Sequence, residues 1–199
     1  MVKKVIGIPY PQPNHYAALG CFIAHCSHME IFLTLNMRLS LRIEEEVSRM
    51  MIGVGDLRVK DLIRMIKRVQ VLNKLEPEAK VVQDRILSWC TYFNDIRNFV
   101  AHKPMYVENE NGDELVFHDT HTVKLKDNVY KYRCTIGQLD RASEFISDLL
   151  VCLLSMTRRG WYTKLIAGES TFPGFSQAMP DAPLLEKLGL PTRPADKHQ

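Results

Sequence analysis

The sequence predicts a mainly α-helical protein, with four to five helices and a small β-hairpin insertion between helices 3 and 4. Apolar residues recur at a spacing of three or four over long stretches, which is typical of a buried helix face. The stretch 105–134 breaks this period and contains an Asn-Gly turn between short apolar runs. Prolines and glycines separate the periodic stretches, and both residue types end helices.

The first helix is predicted from about Asn14, a suitable N-cap, to Leu39. Its inward face carries Phe22, Cys26, Met29 and Leu33. Helical character is expected to continue over 41–51, until Gly53-Val54-Gly55 interrupts it.

The second helix is predicted over about 56–75, with Leu62, Ile66 and Val69 among its inward residues. Its outer face is basic and includes Arg58, Lys60, Arg64, Lys67, Arg68 and Lys74. Two interpretations stay open, because such a face either attracts phosphates or is simply solvated.

The third helix is predicted to open at Glu76-Pro77-Glu78, since proline suits a first helical turn and acids there complement the helix dipole. Pro104 ends it. Its inward face is formed by Val82, Ile86, Trp89, Phe93, Ile96 and Val100.

The insertion is predicted to contain a hairpin of strands 105–107 and 115–117, followed by a second hairpin around a turn at 126–128. His118 and His121 are expected in a loop between the two hairpins, where exposed loop residues are the favoured interpretation and additional ligands or RNA contacts the alternative. Thr135 and Gln138 have capping-box spacing and open the fourth helix, which runs to about Thr157.

The domain organisation follows from these elements. An extended segment is expected at 1–13, a helical domain at 14–165 with the β-insertion at about 105–134, and a Pro-rich tail at 166–199. The tail is expected to be irregular apart from a short turn at 184–188.

Composition narrows the class of protein. The chain of 199 residues has a net charge of +3 and five cysteines without a CxxC pair, so we expect a reducing cytoplasm. We expect no membrane partner, because no stretch is predicted to reach the length of a membrane span. P-loop, dinucleotide-loop, HExxH and GxSxG motifs are absent from the sequence.

Cys21, His25, His28 and Glu30 lie near one another on the first helix and are residue types that bind zinc. The sequence offers no second ligand pair at metal spacing, so we predict no metal and no cofactor. Core-flank or interface histidines are the favoured interpretation.

The end of the third helix carries a polar face. At about 100° per residue, Asp95, Asn98 and His102 fall roughly opposite the apolar face, and Arg97 lies at its flank. Asn98 and His102 are an i,i+4 pair whose side chains can touch. A solvated polar face is the ordinary alternative.

The pattern Arg97-Asn98-x-x-x-His102, followed by basic Lys103, resembles the signature of HEPN domains, which are helical modules of toxin–antitoxin, phage-defence and other RNA-targeting systems. The resemblance covers roughly 14–160. It implies a HEPN-like up-and-down helical bundle, RNA as partner, a homodimer through the motif helices and a protein antitoxin as a further partner. It also implies catalytic roles for Arg97, Asn98 and His102.

Substrate contacts are predicted for Asp95 and Lys103, which flank the motif, and for Arg158 and Arg159, which begin a basic-aromatic cluster. The cluster also has an ordinary alternative, namely a charge pair at a helix end beside a packing Trp161.

Three hypotheses remain. The first is a metal-independent endoribonuclease in toxin–antitoxin, defence or RNA-processing systems, which leaves a 2′,3′-cyclic phosphate. The second is a non-catalytic HEPN-like module that binds RNA, a nucleotide or a protein. The third is a structural helical protein with a chance motif.

Overall fold

A computed structural model describes residues 10–42, 44, 46–47, 58–72, 76–107, 112–119, 130–157, 184 and 186–188. Within this part the fold is mainly helical with a small antiparallel sheet, which confirms the coarse fold class. In chain order the elements are α1 (Pro13–Leu41), α2 (Val59–Leu72), α3 (Pro77–His102), β1 (Met105–Val107), β2 (Glu114–Asp119), β3 (Tyr130–Thr135), α4 (Ile136–Met156) and β4 (Glu186–Leu188).

The helix boundaries lie close to the predicted ones because local signals set them. Gln12 O accepts hydrogen bonds from the backbone N–H groups of His15 and Tyr16 at the start of α1. At the start of α4, Thr135 N donates to Gln138 Oε1 at 2.8 Å and Gln138 N donates to Thr135 Oγ1 at 3.1 Å. These two bonds are the predicted capping box, which satisfies backbone donors at the helix end.

The chain divides into two compact units. One contains the start of α1 up to Ile23, the end of α3 from Ile96, the sheet, and the start of α4 up to Ser143. The other contains α1 from Ala24, α2, α3 up to Asp95, and α4 from Glu144.

The helical unit is held by an apolar core in which aromatic rings join α3 to α4. Phe93 is 1% exposed, and its ring lies 5.6 Å from Trp89 and 5.7 Å from Phe145 between centroids. A buried amide ties α1 to α4, since Asn36 Nδ2 donates to Leu153 O at 2.7 Å. The same nitrogen donates to Phe32 O at 2.9 Å, so burial of the amide is compensated.

The other unit is built around the sheet, whose strand order is β1-β2-β3-β4. The predicted first hairpin is confirmed by the antiparallel pairing of Met105 with Phe117 and of Val107 with Leu115. Successive side chains along a strand point to opposite faces of the sheet, and directly paired residues point to the same face. Phe117 and Tyr132 therefore share one face, where both contact Phe99 of α3 at centroid distances of 6.3 Å and 4.8 Å.

A buried histidine anchors the start of α1 in this unit. His15 is 1% exposed, its Nδ1 accepts from Gln12 N at 3.0 Å, and its Nε2 therefore donates to Gly112 O, also at 3.0 Å. Both ring nitrogens are used, so His15 has a structural role.

Two sequence predictions about the sheet were wrong. His118 does not lie in an exposed loop, because β2 extends to Asp119 and His118 is half-buried within it. Residues 186–188 form a strand paired with β3 where a short turn was expected. In both cases hydrogen bonding to a neighbouring strand, which local sequence does not encode, fixed the conformation. His121, the second predicted hairpin turn at 126–128, and most of 41–51 lie outside the described residues.

The prediction that no stretch reaches the length of a membrane span was also wrong. Among the described helices α1, with 29 residues, is long and apolar enough to cross a membrane. This is weak evidence for a membrane, because soluble core helices and signal sequences meet the same criterion. Phe22, Met29 and Leu33 of α1 are buried, while Tyr16 and Ile31 of the same helix are exposed.

The cysteines give a direct check of this packing. Cys26, Cys90, Cys134 and Cys152 are buried and Cys21 is exposed, all five as free thiols. Burial raises the pKa of Cys134 and of Cys152 to about 12 and also raises the pKa of Cys90. We expect a thiol-specific reagent to modify Cys21 quickly and the other four only after denaturation, because reaction needs an accessible thiolate. Cys21→Ser should remove the fast phase, and more than one fast thiol in the native protein would contradict the packing.

Candidate functional site

The candidate site lies in the last turns of α3. This helix buries Ile86, Trp89, Phe93, Ile96 and Val100 at three- and four-residue spacing, as predicted. The buried side fixes the rotation of the helix about its axis and therefore fixes which residues face outward. Pro104 follows the helix end, and β1 begins at Met105.

The three motif residues lie on the outward side. Asn98 and His102 are exposed, and Arg97 is half-buried at the flank. This arrangement agrees with the angular placement predicted from the sequence. Asn98 and His102 are therefore accessible to a ligand, and Arg97 is accessible in part.

Arg97 is held by its neighbour. Its Nη1 donates to Asn98 Oδ1 at 2.9 Å, which orients the guanidinium and leaves the Asn98 amide N–H groups to other acceptors. Arg97 Nε is buried and has no hydrogen-bond partner among the described residues. The bond therefore fixes one corner of the guanidinium and leaves a donor unsatisfied, which favours a phosphate or carboxylate ligand.

Lys103 adds a second positive charge at the helix end. Its Nζ lies 5.7 Å from the centroid of the Phe99 ring, a cation–π distance, and Phe99 itself is fixed by Phe117 and Tyr132. The sheet thus holds the Phe99 ring in place, and the ring in turn positions the Lys103 ammonium beside the motif. No role was predicted for Phe99, although it lies between Asn98 and His102 in the sequence.

The remaining predicted site residues fall elsewhere. Asp95 is exposed and forms an ion pair with Lys60 of α2, with 3.0 Å between Oδ1 and Nζ. Its predicted contact with substrate stays a prediction. Arg158 and Arg159 lie outside the described residues.

The predicted basic face of α2 is partly neutralised. Lys60 pairs with Asp95, Lys67 with Asp84 of α3 at 2.9 Å, and Arg64 with Asp61 at 3.2 Å. All are surface pairs and contribute little to stability. Their effect on the local charge nevertheless favours the solvated interpretation of this face over phosphate binding.

The candidate metal ligands predicted on α1 do not converge on one point. The centroids of His25 and His28 are 6.4 Å apart, and Cys21 and His28 are exposed. Across the described residues there is no group of three or more metal-binding side chains.

A second polar cluster, which was not predicted from the sequence, lies in the sheet. Tyr106 of β1 and His118 of β2 contact each other edge to face, with 4.8 Å between ring centroids. Lys131 of β3 pairs with His118 in the register and places Nζ 5.7 Å from the Tyr106 ring. The alternation of side chains along the predicted hairpin could have placed Tyr106 and residue 118 on one face, had β2 been extended by two residues.

This cluster predicts a pH effect on stability. Burial, and to a smaller extent the charge of Lys131, lowers the pKa of His118 from its ordinary value of 6.5. The unfolded chain then binds this proton more tightly than the folded one, so stability is full above the unfolded pKa and falls as the pH drops below it.

We expect the urea concentration at the unfolding midpoint to decrease when the pH is lowered from about 7.5 to about 5. In His118→Gln this decrease should be smaller. The exposed His28→Gln variant is the matched control and should keep the wild-type slope. Equal slopes in wild type and His118→Gln would contradict the prediction.

Comparison of the chain with protein-family models, with curated proteins and with solved structures finds no match.

Proposed function

We propose that this protein is a metal-independent endoribonuclease of the HEPN type, acting in the cytoplasm in toxin–antitoxin, phage-defence or RNA-processing systems. The observation that carries the proposal is the placement of exposed Asn98 and His102, with half-buried Arg97 at their flank, on a helix whose other side is buried. Lys103, directly after the helix end, places a second positive charge beside these residues.

The chemistry follows from the residue types. The 2′-hydroxyl of RNA attacks the adjacent phosphorus, so a base must take its proton and an acid must protonate the leaving 5′-oxygen. An imidazole exchanges protons near neutral pH, which gives His102 one of these roles. The Arg97 guanidinium, oriented by Asn98, stabilises the additional negative charge of the transition state. The product is a 2′,3′-cyclic phosphate and a free 5′-hydroxyl.

One motif histidine supplies one of two proton-transfer roles. We propose that two copies of the chain pair through their motif helices, so that two His102 and two Arg97 side chains share one cleft. The outward orientation of the motif supports this arrangement, because the same face is available to a second copy. Light scattering on the purified protein tests it, and a monomer at the concentrations at which RNA is cleaved would contradict it.

The deciding experiment incubates the purified chain with single-stranded RNA in EDTA and identifies the product ends. We expect cleavage that EDTA does not inhibit and fragments that carry a 2′,3′-cyclic phosphate. Fragments with 3′-hydroxyl ends, or cleavage that EDTA abolishes, would contradict the mechanism. No cleavage of varied RNAs, combined with RNA or nucleotide binding that needs Arg97, would favour the non-catalytic module instead.

A further inference from the structure

We infer that the face of the sheet formed by Tyr106, His118 and Lys131 is a phosphate-binding site, separate from the motif on α3. The inference is independent of the proposed nuclease activity. It rests on three side chains from three adjacent strands that meet on one surface of the sheet.

The register places them together. Tyr106 pairs with Val116 and His118 pairs with Lys131, and Val116 and His118 are two residues apart on β2. All four side chains therefore point to the same side of the sheet. Phe117 and Tyr132 point to the opposite side, where they contact Phe99.

Two polar atoms of this cluster lack hydrogen bonds to the described residues. Tyr106 Oη and His118 Nε2 are both shielded from solvent, and neither has a hydrogen-bond partner among the described residues. Buried polar atoms are nearly always paired in folded proteins, so two such atoms on touching rings are a specific signal. His15, by contrast, uses both of its ring nitrogens.

The surrounding charge selects the kind of ligand. The Lys131 ammonium disfavours a cation and attracts an anion. Apolar ligands would leave the hydroxyl and the imidazole nitrogen unpaired. A phosphate group offers enough oxygens to accept from the Tyr106 hydroxyl, the Lys131 ammonium and a protonated Nε2 at once. Tyr106, His118 and Lys131 are each half-buried, so the cluster borders solvent although these two polar atoms are shielded.

The test follows the ring resonances of His118 by NMR while inorganic phosphate is added to the full chain at constant ionic strength. We expect a saturable shift in the wild type, and an affinity at least about tenfold weaker in Tyr106→Phe and in Lys131→Gln. Tyr106→Phe removes only the hydroxyl, so it should keep the fold. The matched controls are Tyr132→Phe, on the opposite face, and Lys80→Gln, an exposed lysine of α3. Both controls should bind phosphate like the wild type.

A second arm identifies where the phosphate comes from. Binding of a short single-stranded RNA is measured with the His102→Ala chain, which should cleave it at least about 10²-fold more slowly than the wild type. If Tyr106→Phe in that background weakens RNA binding, the site holds an RNA phosphodiester. If it weakens only inorganic phosphate and ribose 5-phosphate, the site takes a free phosphate monoester, and either result supports the inference.

The inference is overturned if the wild type shows no saturable shift, if acetate or chloride produces the same shift, or if Tyr106→Phe and Lys131→Gln titrate like the wild type. These outcomes are distinct from failure of the nuclease proposal. If the protein binds phosphate at His118 but does not cleave RNA, the phosphate site is supported and the nuclease proposal fails. If it cleaves RNA but does not bind phosphate at His118, the nuclease proposal is supported and the phosphate site fails.

Discussion

His102→Ala is expected to lower the rate of RNA cleavage by about 10²- to 10⁴-fold, the usual contribution of a general acid or base. The fold should be unaffected, because the His102 side chain is exposed at the end of α3. The measurement is the initial rate of cleavage of single-stranded RNA in EDTA, with circular dichroism and urea unfolding of the same preparation to establish that the variant is folded.

Two variants sharpen this experiment. His28→Ala removes another exposed histidine, on α1, and should keep the wild-type rate. Arg97→Lys keeps the positive charge but loses the planar fork that Asn98 orients, so it should be much less active than the wild type. Equal rates for wild type and His102→Ala would show that the motif is not the source of the activity.

Phe93→Ala is expected to lower the free energy of unfolding by about 3–5 kcal/mol, the range for truncating a buried aromatic residue. Phe93 is 1% exposed, and its ring contacts Trp89, Tyr92 and Phe145. The loss combines the missing apolar contacts with the cavity left between α3 and α4. Since the free energy of unfolding of a domain is itself about 5–15 kcal/mol, this single change should bring the protein near its stability limit.

The measurement is urea unfolding followed by far-ultraviolet circular dichroism, which reports on all helices. Val81→Ala is the matched control, because Val81 lies on the same helix but is 61% exposed. Its effect should stay within about 0.5 kcal/mol, as for most surface substitutions. If Phe93→Ala and Val81→Ala unfolded at the same urea concentration, the aromatic cluster would not be the core of this unit.

Local sequence was sufficient wherever one helix or one turn decides the structure. The apolar spacing of α3 placed Ile86, Trp89 and Phe93 in the core and, by elimination, placed Asn98 and His102 outside. The capping box at Thr135 and the first hairpin were visible for the same reason, because their hydrogen bonds join residues close together in the chain.

The tertiary structure alone decided everything that depends on pairing distant segments. Only the register of β2 with β3 set His118 against Lys131, and only the length of β2 beside β1 brought it to Tyr106. Only the packing of α2 on α3 paired Lys60 with Asp95. Residues 186–188 became a strand because β3 offered a free edge. The periodicity of a helix or strand predicts which way each of its side chains faces. It does not predict which residue of another element a side chain will meet, because that depends on how the whole chain packs.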